Sequence, residues 1–323
     1  MSLRQKAEVT NRTVIGEFIL LGFGNDPELQ TLLFLVFLVI YVVTMVGNIL
    51  LMVLVVADRR LHTPMYFFLG NLSCLETCYS SALLPRLLAS LLTGDRTISV
   101  PGCMMQFYCF GLLTGTECYL LAAMSYDRYL AICKPLRYAT LMTDRFCLRF
   151  AAWSWILAFV ASTLIFSWMS QSAFCGHKEI DHFFCDFNPL IQRSCDDSSL
   201  ITRLSIIITS IVVPFPFLLT LMSYICIITT ILKIPSYTGR KRAFSTCSSH
   251  LIVVTIFYST LTVVYILPED HMLQDLNKVL SLFYTVLTPL ANPLIYSLRN
   301  KEVTEALRKI LHGFMVLMGI QKS

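Results

Sequence analysis

The chain has 323 residues, of which 56% are hydrophobic and 14% are charged, and its formal net charge is +5. Its mean hydropathy is +0.68. Charged residues are too few to cover the surface of a water-soluble globular protein, so the composition excludes that class. It predicts an integral membrane protein surrounded by the lipid bilayer.

Seven apolar segments are long enough to cross the bilayer as helices, since about 20 residues span its hydrocarbon core. Polar and apolar residues do not alternate along them, which argues against transmembrane strands. Pro214, Pro216, Pro289 and Pro293 fall inside two of the segments and predict kinks. The sequence therefore predicts an all-α, seven-transmembrane helix bundle. The predicted spans are Thr31–Ala57, Met65–Leu92, Met104–Ile132, Phe146–Met169, Leu200–Leu232, Ala243–Leu267 and Leu276–Leu298.

Charge separates the two sides of the predicted bundle. The loops after the first, third and fifth spans and the C-terminal tail have an excess of Lys and Arg, whereas the segments on the other side have a negative charge in sum. Because Lys and Arg accumulate on the cytoplasmic side, we expect an extracellular N-terminal tail at 1–30, a transmembrane domain at 31–300 and a cytoplasmic segment at 301–323. Basic residues in the N-terminal tail argue weakly against this orientation.

Two modifications are predicted on the outer side. Asn11 begins an Asn-Arg-Thr sequon, so we expect N-glycosylation there. Cys103, Cys175, Cys185 and Cys195 would face an oxidising compartment and can form two disulfides, for which three pairings remain open. The other eight of the 12 cysteines are expected to be free thiols.

Two acidic residues fall inside predicted spans. At about 1.5 Å per residue, Glu76 and Glu117 both lie roughly 16 Å from the inner face, and Asn48 and Asn292 lie near that depth. Two carboxylates in hydrocarbon cannot both stay ionised without a cation or a shared proton. We predict a Na⁺ site that favours the resting state; the alternative is a protonated, hydrogen-bonded pair without an ion.

A mostly apolar cavity with a few hydroxyl groups is predicted above these carboxylates. One stripe on the third span and one on the sixth have the same i, i+3, i+4, i+7 spacing and similar depth, which would let both line one cavity. Packing against the next helix is the alternative for each residue. The predicted lining is Phe107, Phe110, Gly111, Thr114, Ile208, Val212, Tyr258, Leu261, Thr262, Tyr265, Leu282 and Thr285.

Arg128 lies near the end of the third span, in the segment Met124-Ser125-Tyr126-Asp127-Arg128-Tyr129. A guanidinium at the edge of a membrane helix costs several kcal/mol unless it has a partner, so it indicates a functional site. Asp127 is its local partner in one state, and another protein could compete for it in a second state. Such an exchange would let a membrane helix signal to the cytosol.

Basic and amphipathic segments are predicted at the inner surface. Arg240, Lys241 and Arg242 either flank an opening for a partner protein or hold a helix end at anionic headgroups. Downstream, apolar residues recur at helical spacing within Lys301–Phe314, which predicts a helix lying on the inner leaflet. The residues of that stripe are Val303, Ala306, Leu307, Ile310, Leu311 and Phe314.

Five segments resemble the olfactory receptors, a branch of the rhodopsin-like G protein-coupled receptors, and the resemblance covers nearly the whole chain. Without a long loop insertion, the chain resembles the tetrapod-type (class II) receptors. Glu76 departs from the aspartate that is commoner in the family. The segments are Leu61–Leu69, Met124–Tyr138, Ser223-Tyr224, Arg242–His250 and Asn292–Asn300.

The resemblance implies a role for each matching residue. Tyr258 would lie beneath the odorant, Cys103 would pair with Cys185, and Cys175 would then pair with Cys195. A third set would form the arginine switch, the rearranging inner tyrosines, the break in the seventh helix and the G protein opening. These switch residues are Asp127, Arg128, Tyr129, Tyr224, Arg242, Asn292, Pro293 and Tyr296.

The partners implied by the resemblance are a small volatile odorant and a heterotrimeric G protein of the stimulatory, olfactory type that raises cAMP. The chain would be a multi-pass plasma-membrane protein, with no cofactor apart from the sodium ion and no nucleic-acid partner. A proton- or ion-coupled transporter or channel is the competing class, but internal repeats are not evident. An enzyme is not expected, because no nucleophile elbow, metal-ligand cluster or phosphate loop appears.

Overall fold

Long helices dominate the computed structural model, which describes residues 15–24, 26–174, 176–195, 199–266, 274–299 and 302–309. Each of the seven predicted spans coincides with one long helix or with two consecutive helices. The helices are α1 (Pro27–Ala57), α2 (Pro64–Thr93), α3 (Val100–Cys133), α4 (Pro135–Leu141), α5 (Asp144–Met169), α6 (Phe187–Ile191), α7 (Ser199–Val212), α8 (Pro214–Leu232), α9 (Tyr237–Ile266), α10 (Gln274–Leu282) and α11 (Thr288–Arg299). A 3₁₀ turn (Arg59–Leu61) follows α1, and a π-turn (Phe283–Leu287) joins α10 to α11.

Five helical stretches are long and apolar enough to cross a membrane by length and composition: Pro27–Ala57, Val100–Cys133, Asp144–Met169, Ile201–Leu232 and Leu276–Ile295. In α9 only His250–Tyr265 is comparably apolar, because the start of the helix is basic and polar. Apolar side chains lie on the outside of α1, where Val39 and Val46 are 62% and 60% exposed. An exposed apolar surface of this kind is stable in contact with lipid but unfavourable in contact with water.

Three predicted spans differ from the helices in detail. The fifth is interrupted at Val213, because Pro214 has no N–H to continue the hydrogen-bond ladder. The sixth begins at Tyr237 instead of Ala243, since a helix that extends beyond the bilayer can be polar. The seventh contains the π-turn, in which Thr288 Oγ1 donates a 3.0 Å hydrogen bond to the carbonyl of Phe283. A π-turn widens a helix locally and often marks a functional position.

A small β-sheet was not predicted. Its strands are β1 (Glu17–Leu20), β2 (Thr97–Ser99) and β3 (Glu179–Ile180), in the order β2-β1-β3. β1 pairs antiparallel with β2, with Phe18 opposite Ile98, and parallel with β3, with Ile19 opposite Glu179. The predicted N-terminal tail at 1–30 therefore contains a paired strand and the first residues of α1.

Two units emerge from the contacts between residues. The first comprises 1–39, 81–116 and 155–214, and the second comprises 40–80, 117–154 and 215–323. The core of the first unit includes Phe18, Cys103 and Cys185, all of which are completely buried. A smaller core in the second unit contains Tyr224, Ile227, Ile231 and Cys247.

Replacing Gly47 with alanine should lower the melting temperature of the purified receptor. A Cβ at this position of α1 would lie 3.0 Å from Cβ and 3.2 Å from Cγ of Pro293 in α11. Overpacking of this kind costs about 1–3 kcal/mol, which exceeds the 0.4–1 kcal/mol or so that a helical Gly→Ala change gains from chain entropy.

Gly70 of α2 provides the matched control, because its added Cβ would meet Val55 Cγ1 at an ordinary 3.6 Å. We expect Gly70→Ala to match or exceed the wild-type melting temperature. Equal melting temperatures for the two variants would show that α1 and α11 do not approach each other as closely as described.

Candidate ligand-binding and switch residues

Aromatic side chains surround the predicted ligand-binding stripe of α3. Phe107, Phe110 and Thr114 are all less than 10% exposed. The ring of Phe110 lies 5.0 Å from that of Phe184, and the ring of Phe107 lies 6.3 Å from that of Phe187. Gly111 has a different environment, because a Cβ there would lie 3.4 Å from Ser162 Oγ in α5. Packing against α5 is therefore sufficient to explain this glycine.

Ile208 and Val212 lie half-buried on α7, in the same unit as the α3 stripe. Ser205, one turn before Ile208, was not predicted as a site residue. It is 3% exposed, and its Oγ has no hydrogen-bond partner among the described residues. A buried hydroxyl without a partner is costly, so Ser205 is a candidate to hydrogen-bond a ligand. The i, i+3 spacing from Ile208 is the signal that could have identified it.

The predicted residues of α9 do not share one environment. Tyr258 and Leu261 are 1% and 2% exposed, Tyr265 is half-buried, and Thr262 is exposed. The Tyr258 hydroxyl donates a 2.8 Å hydrogen bond to the carbonyl of Cys118 in α3. This bond connects the sixth span to the third span near its middle.

The remaining predicted lining lies in the seventh span. Leu282 is half-buried, whereas Thr285 in the π-turn is completely buried and donates a 2.6 Å hydrogen bond to the carbonyl of Ser281. The rings of Tyr265 and Tyr284 lie 6.3 Å apart. The α3 and α7 lining belongs to the first unit, and the α9 and seventh-span lining belongs to the second, so their common cavity stays a prediction.

A buried polar cluster surrounds Glu76 and Glu117. The two carboxylates interact electrostatically and are 0% and 1% exposed. Asn292 Nδ2 donates a hydrogen bond to Glu76 Oε1. Asn48 Nδ2 donates to the carbonyls of Thr44 and Pro289, each at 3.1 Å.

Several oxygen atoms of this cluster have no hydrogen-bond partner in the part of the chain that the structure describes: Glu76 Oε2, both carboxylate oxygens of Glu117, Asn48 Oδ1 and Asn292 Oδ1. Buried polar atoms are normally paired, so a concentration of free acceptors indicates a missing cation or proton. Oxygen ligands of this kind suit a hard cation. No group of three or more His, Cys, Asp or Glu side chains could hold a metal ion in the described part of the chain.

Asp127 interacts electrostatically with Arg128 and has a further partner that the sequence did not predict. It is 1% exposed and accepts a 2.8 Å hydrogen bond from the hydroxyl of Tyr138 in α4. Burial raises the pKa of Tyr138, so this hydroxyl stays protonated and can donate. Among the described residues, no carboxylate lies within ion-pair distance of the half-buried Arg128. Sequence spacing did not predict the hydrogen bond between Tyr138 and Asp127, because it forms only when the chain turns at Lys134.

His250, which the sequence analysis did not single out, contacts a predicted switch residue. It is 2% exposed, and its Nδ1 lies 2.5 Å from the hydroxyl of Tyr224, a predicted switch residue. Tyr224 belongs to the core of the second unit, against which Tyr129 packs. In α11, Asn292 is buried and Pro293 contacts the Gly47 position. The side chains of Arg242 and Tyr296 lie outside the described residues.

Cysteines of the first unit form the bridge that the resemblance implied. Cys103 at the start of α3 is bonded to Cys185, and their Cα atoms are 5.5 Å apart. Cys195 is also disulfide-bonded. Its expected partner Cys175 and the sequon at Asn11 lie outside the described residues. The eight cysteines predicted to be free are free.

The C-terminal segment is helical at residues 302–309, and the rest of the predicted amphipathic stripe lies outside the described residues. Val303 and Ala306 are buried. The hydroxyl of Tyr66 donates a 2.6 Å hydrogen bond to Glu302. Arg60 approaches Glu305 at 3.5 Å and Asp58 at 2.8 Å, and its hydrogen bonds lower the pKa of Asp58 to about 2.

The crystal structure of squid rhodopsin superposes on the chain with a TM-score of 0.66, covering 90% of this chain and 87% of that one at 16% sequence identity. The fold is therefore that of a rhodopsin-like receptor, an all-α bundle of seven transmembrane helices, and the predicted fold class is confirmed.

Sequence comparison identifies the family. The sequence model of the family described as "Olfactory receptor" matches residues 37–313. Mouse olfactory receptor 5AP2 is 46% identical over 95% of this chain and 96% of its own length. Human olfactory receptor 11L1 is 49% identical over 94% of each chain. The chain belongs to the olfactory receptor family, which is a receptor family and not an enzyme family, and it is a multi-pass plasma-membrane protein.

Proposed function

We propose that the chain binds a small, neutral, weakly polar volatile odorant within its transmembrane helices. It then activates a heterotrimeric G protein of the stimulatory, olfactory type, which raises cAMP. The observation that carries this proposal is the match to the olfactory receptor family over nearly the whole chain. The described contacts support the proposed ligand chemistry and the proposed switch residues.

The proposed ligand follows from the character of the site. Phe107, Phe110 and Leu261 are buried apolar residues, and the candidate lining contains no charged side chain that could anchor an amine or a carboxylate. The unpartnered hydroxyl of Ser205 favours a ligand with one carbonyl, ether or hydroxyl group. Small-molecule sites commonly combine an apolar lining with a few polar groups in this way.

Activation requires only that the odorant bind the active arrangement more tightly than the resting one. The hydrogen bond from Tyr258 to the Cys118 carbonyl couples α9 to α3 within the second unit. A ligand that displaces this tyrosine would free α9 to move its inner end. Arg128 has no ion-pair partner among the described residues, so it is available for the incoming G protein.

The proposed orientation places the N-terminus outside the cell and the C-terminus inside. The disulfide between Cys103 and Cys185 supports an oxidising environment at the start of α3. Basic residues concentrate at the opposite end of the helices, after the first, third and fifth spans.

We also propose that the polar cluster around Glu76 and Glu117 holds Na⁺ in the resting receptor. The residues fit this ion, because several buried oxygens there lack a hydrogen-bond donor. A bound monovalent cation would supply charge compensation for the carboxylates. Glu76 and Asn292 are already joined by a hydrogen bond, so the cluster connects α2 to α11 with or without the ion.

Cells that express the wild-type receptor and a cyclic-nucleotide reporter should respond to part of an odorant panel that spans chemical classes. Arg128→Ala should abolish this response at equal surface expression, because the guanidinium that the G protein would engage is gone. The exposed Arg149 offers a matched control, and Arg149→Ala should leave the response unchanged. A response that persists in Arg128→Ala with wild-type potency, or a panel that raises no cAMP in the wild type, would contradict the proposal.

A further inference from the structure

A groove of about 320 Å³ lies between the end of α8 and the start of α9. Both helices belong to the second unit, so the groove is formed within that unit. Its lining combines five apolar or aromatic side chains with two cations: Ile228, Ile231, Leu232, Tyr237, Phe244, Arg240 and Lys241.

The groove lies at the edge of the buried core of its unit, because its lining residue Ile231 belongs to that core. At about 100° per residue, Ile228 lies roughly 70° and Leu232 roughly 110° around α8 from the centre of the face that carries Tyr224 and Ile227. Leu232 is 63% exposed, and Phe244 on the facing helix is 54% exposed. Large apolar side chains exposed on a membrane helix contact lipid, so the groove faces the bilayer and not the interior of the receptor.

Both basic side chains in the groove lack a counter-ion among the described residues. In the described ranges of the chain, the ion pairs formed are those of Arg60, and no carboxylate pairs with Arg240 or Lys241. An apolar slot that ends at two unpaired cations complements a molecule with an apolar chain and an anionic head. Its volume is near the lower end of the roughly 300–1,000 Å³ typical of small-molecule sites, which is enough for a segment of an acyl chain.

We infer that this groove binds an anionic phospholipid, with an acyl chain between α8 and α9 and the headgroup phosphate on Arg240 and Lys241. The leaflet is the inner one, a point that rests on the proposed orientation. A lipid held there contacts both helix ends at once, so it stabilises the arrangement in which α8 and the start of α9 lie together. Movement of α9 then requires that the lipid be released or carried with it.

Native mass spectrometry of the full-length receptor tests this inference. The receptor is reconstituted in nanodiscs of phosphatidylcholine with a minor share of phosphatidylserine, extracted again, and analysed for retained lipid. The wild type should retain phosphatidylserine in preference to phosphatidylcholine. R240Q/K241Q should weaken this preference by on the order of 25-fold, since each basic residue near a membrane surface contributes about fivefold. Inorganic phosphate should not displace the lipid.

Two matched controls distinguish a specific lipid site from the effect of surface charge alone and from nonspecific contact with lipid. R59Q/K134Q removes the same types of charge from exposed positions elsewhere and should retain the preference. Ile228→Trp fills the groove and should abolish retention, whereas Leu221→Trp changes a residue that is 43% exposed outside the groove and should not.

Three results would overturn the inference. Equal losses in R240Q/K241Q and R59Q/K134Q would show only diffuse attraction to anionic lipid. Displacement by inorganic phosphate would show an anion site without a lipid chain. A loss of G protein activation in Ile228→Trp with unchanged lipid retention would assign the groove to the G protein. Lipid retention is measured without odorant, so its failure is distinguishable from failure of the proposed function.

Discussion

Replacing Cys103 with serine should remove the receptor from the cell surface and lower its melting temperature further than Gly47→Ala does. The bridge to Cys185 closes a sequence separation of 82 residues, for which the loss of loop-closure entropy predicts about 4 kcal/mol of stabilisation. Cys185 is completely buried, and its backbone N–H donates a 3.0 Å hydrogen bond to Gln106 Oε1. Breaking the bridge would therefore also free the loop that places Phe184 against Phe110.

The measurement is surface immunolabelling relative to total receptor, together with thermal unfolding in detergent. Cys185→Ser should behave like Cys103→Ser, and the double variant should be no worse than either, because all three lack the same bond. Cys109→Ser is the matched control on the same helix, since Cys109 is a half-buried free thiol. A Cys103→Ser receptor with the surface level and melting temperature of Cys109→Ser would show that the bridge is dispensable.

The helices were predictable because their signal is composition over long distances. α1 is apolar over most of its length, and the predicted start at Thr31 differs from the observed Pro27 by a single turn. The start of α9 was missed because Arg240 and Lys241 make its first turns too polar for a hydropathy window. The strands of the β-sheet are two to four residues long, which is too short for an alternating pattern to be recognised.

Site residues were predictable by helical face but not by partner. The spacing of Phe107 and Phe110 correctly places both on the buried side of α3. The same reasoning placed Thr262 on one face with Tyr258, yet Thr262 is exposed. The predicted stripe of α9 has four residues, and Thr262 lies on its side, beyond the edge of the buried face. The contact between Tyr224 and His250 joins two helices through a hydrogen bond, and no sequence spacing specifies such a pair.

Changing Glu117 to glutamine should abolish any dependence of the receptor's stability on sodium. In the wild type, replacing N-methylglucamine by Na⁺ should raise the melting temperature, because ligand binding to the folded state adds about 2.7 kcal/mol at a concentration 100 times the Kd. Glu117→Gln removes one of the two carboxylates that would hold the cation, so the affinity of the cluster for sodium should fall. The variant should unfold at one temperature in both salts, and its odorant response should become independent of sodium.

Glu28→Gln makes the same chemical change at an exposed position of α1 and should keep the wild-type response to sodium. The alternative to an ion is a proton shared between Glu76 and Glu117. It predicts a wild-type melting temperature that is the same in both salts but changes with pH. That outcome would rule out the sodium site while leaving the hydrogen bond between Asn292 and Glu76 as the connection between α2 and α11. Because every unpartnered oxygen of the cluster is buried, one of the two forms of charge compensation must operate in the folded receptor.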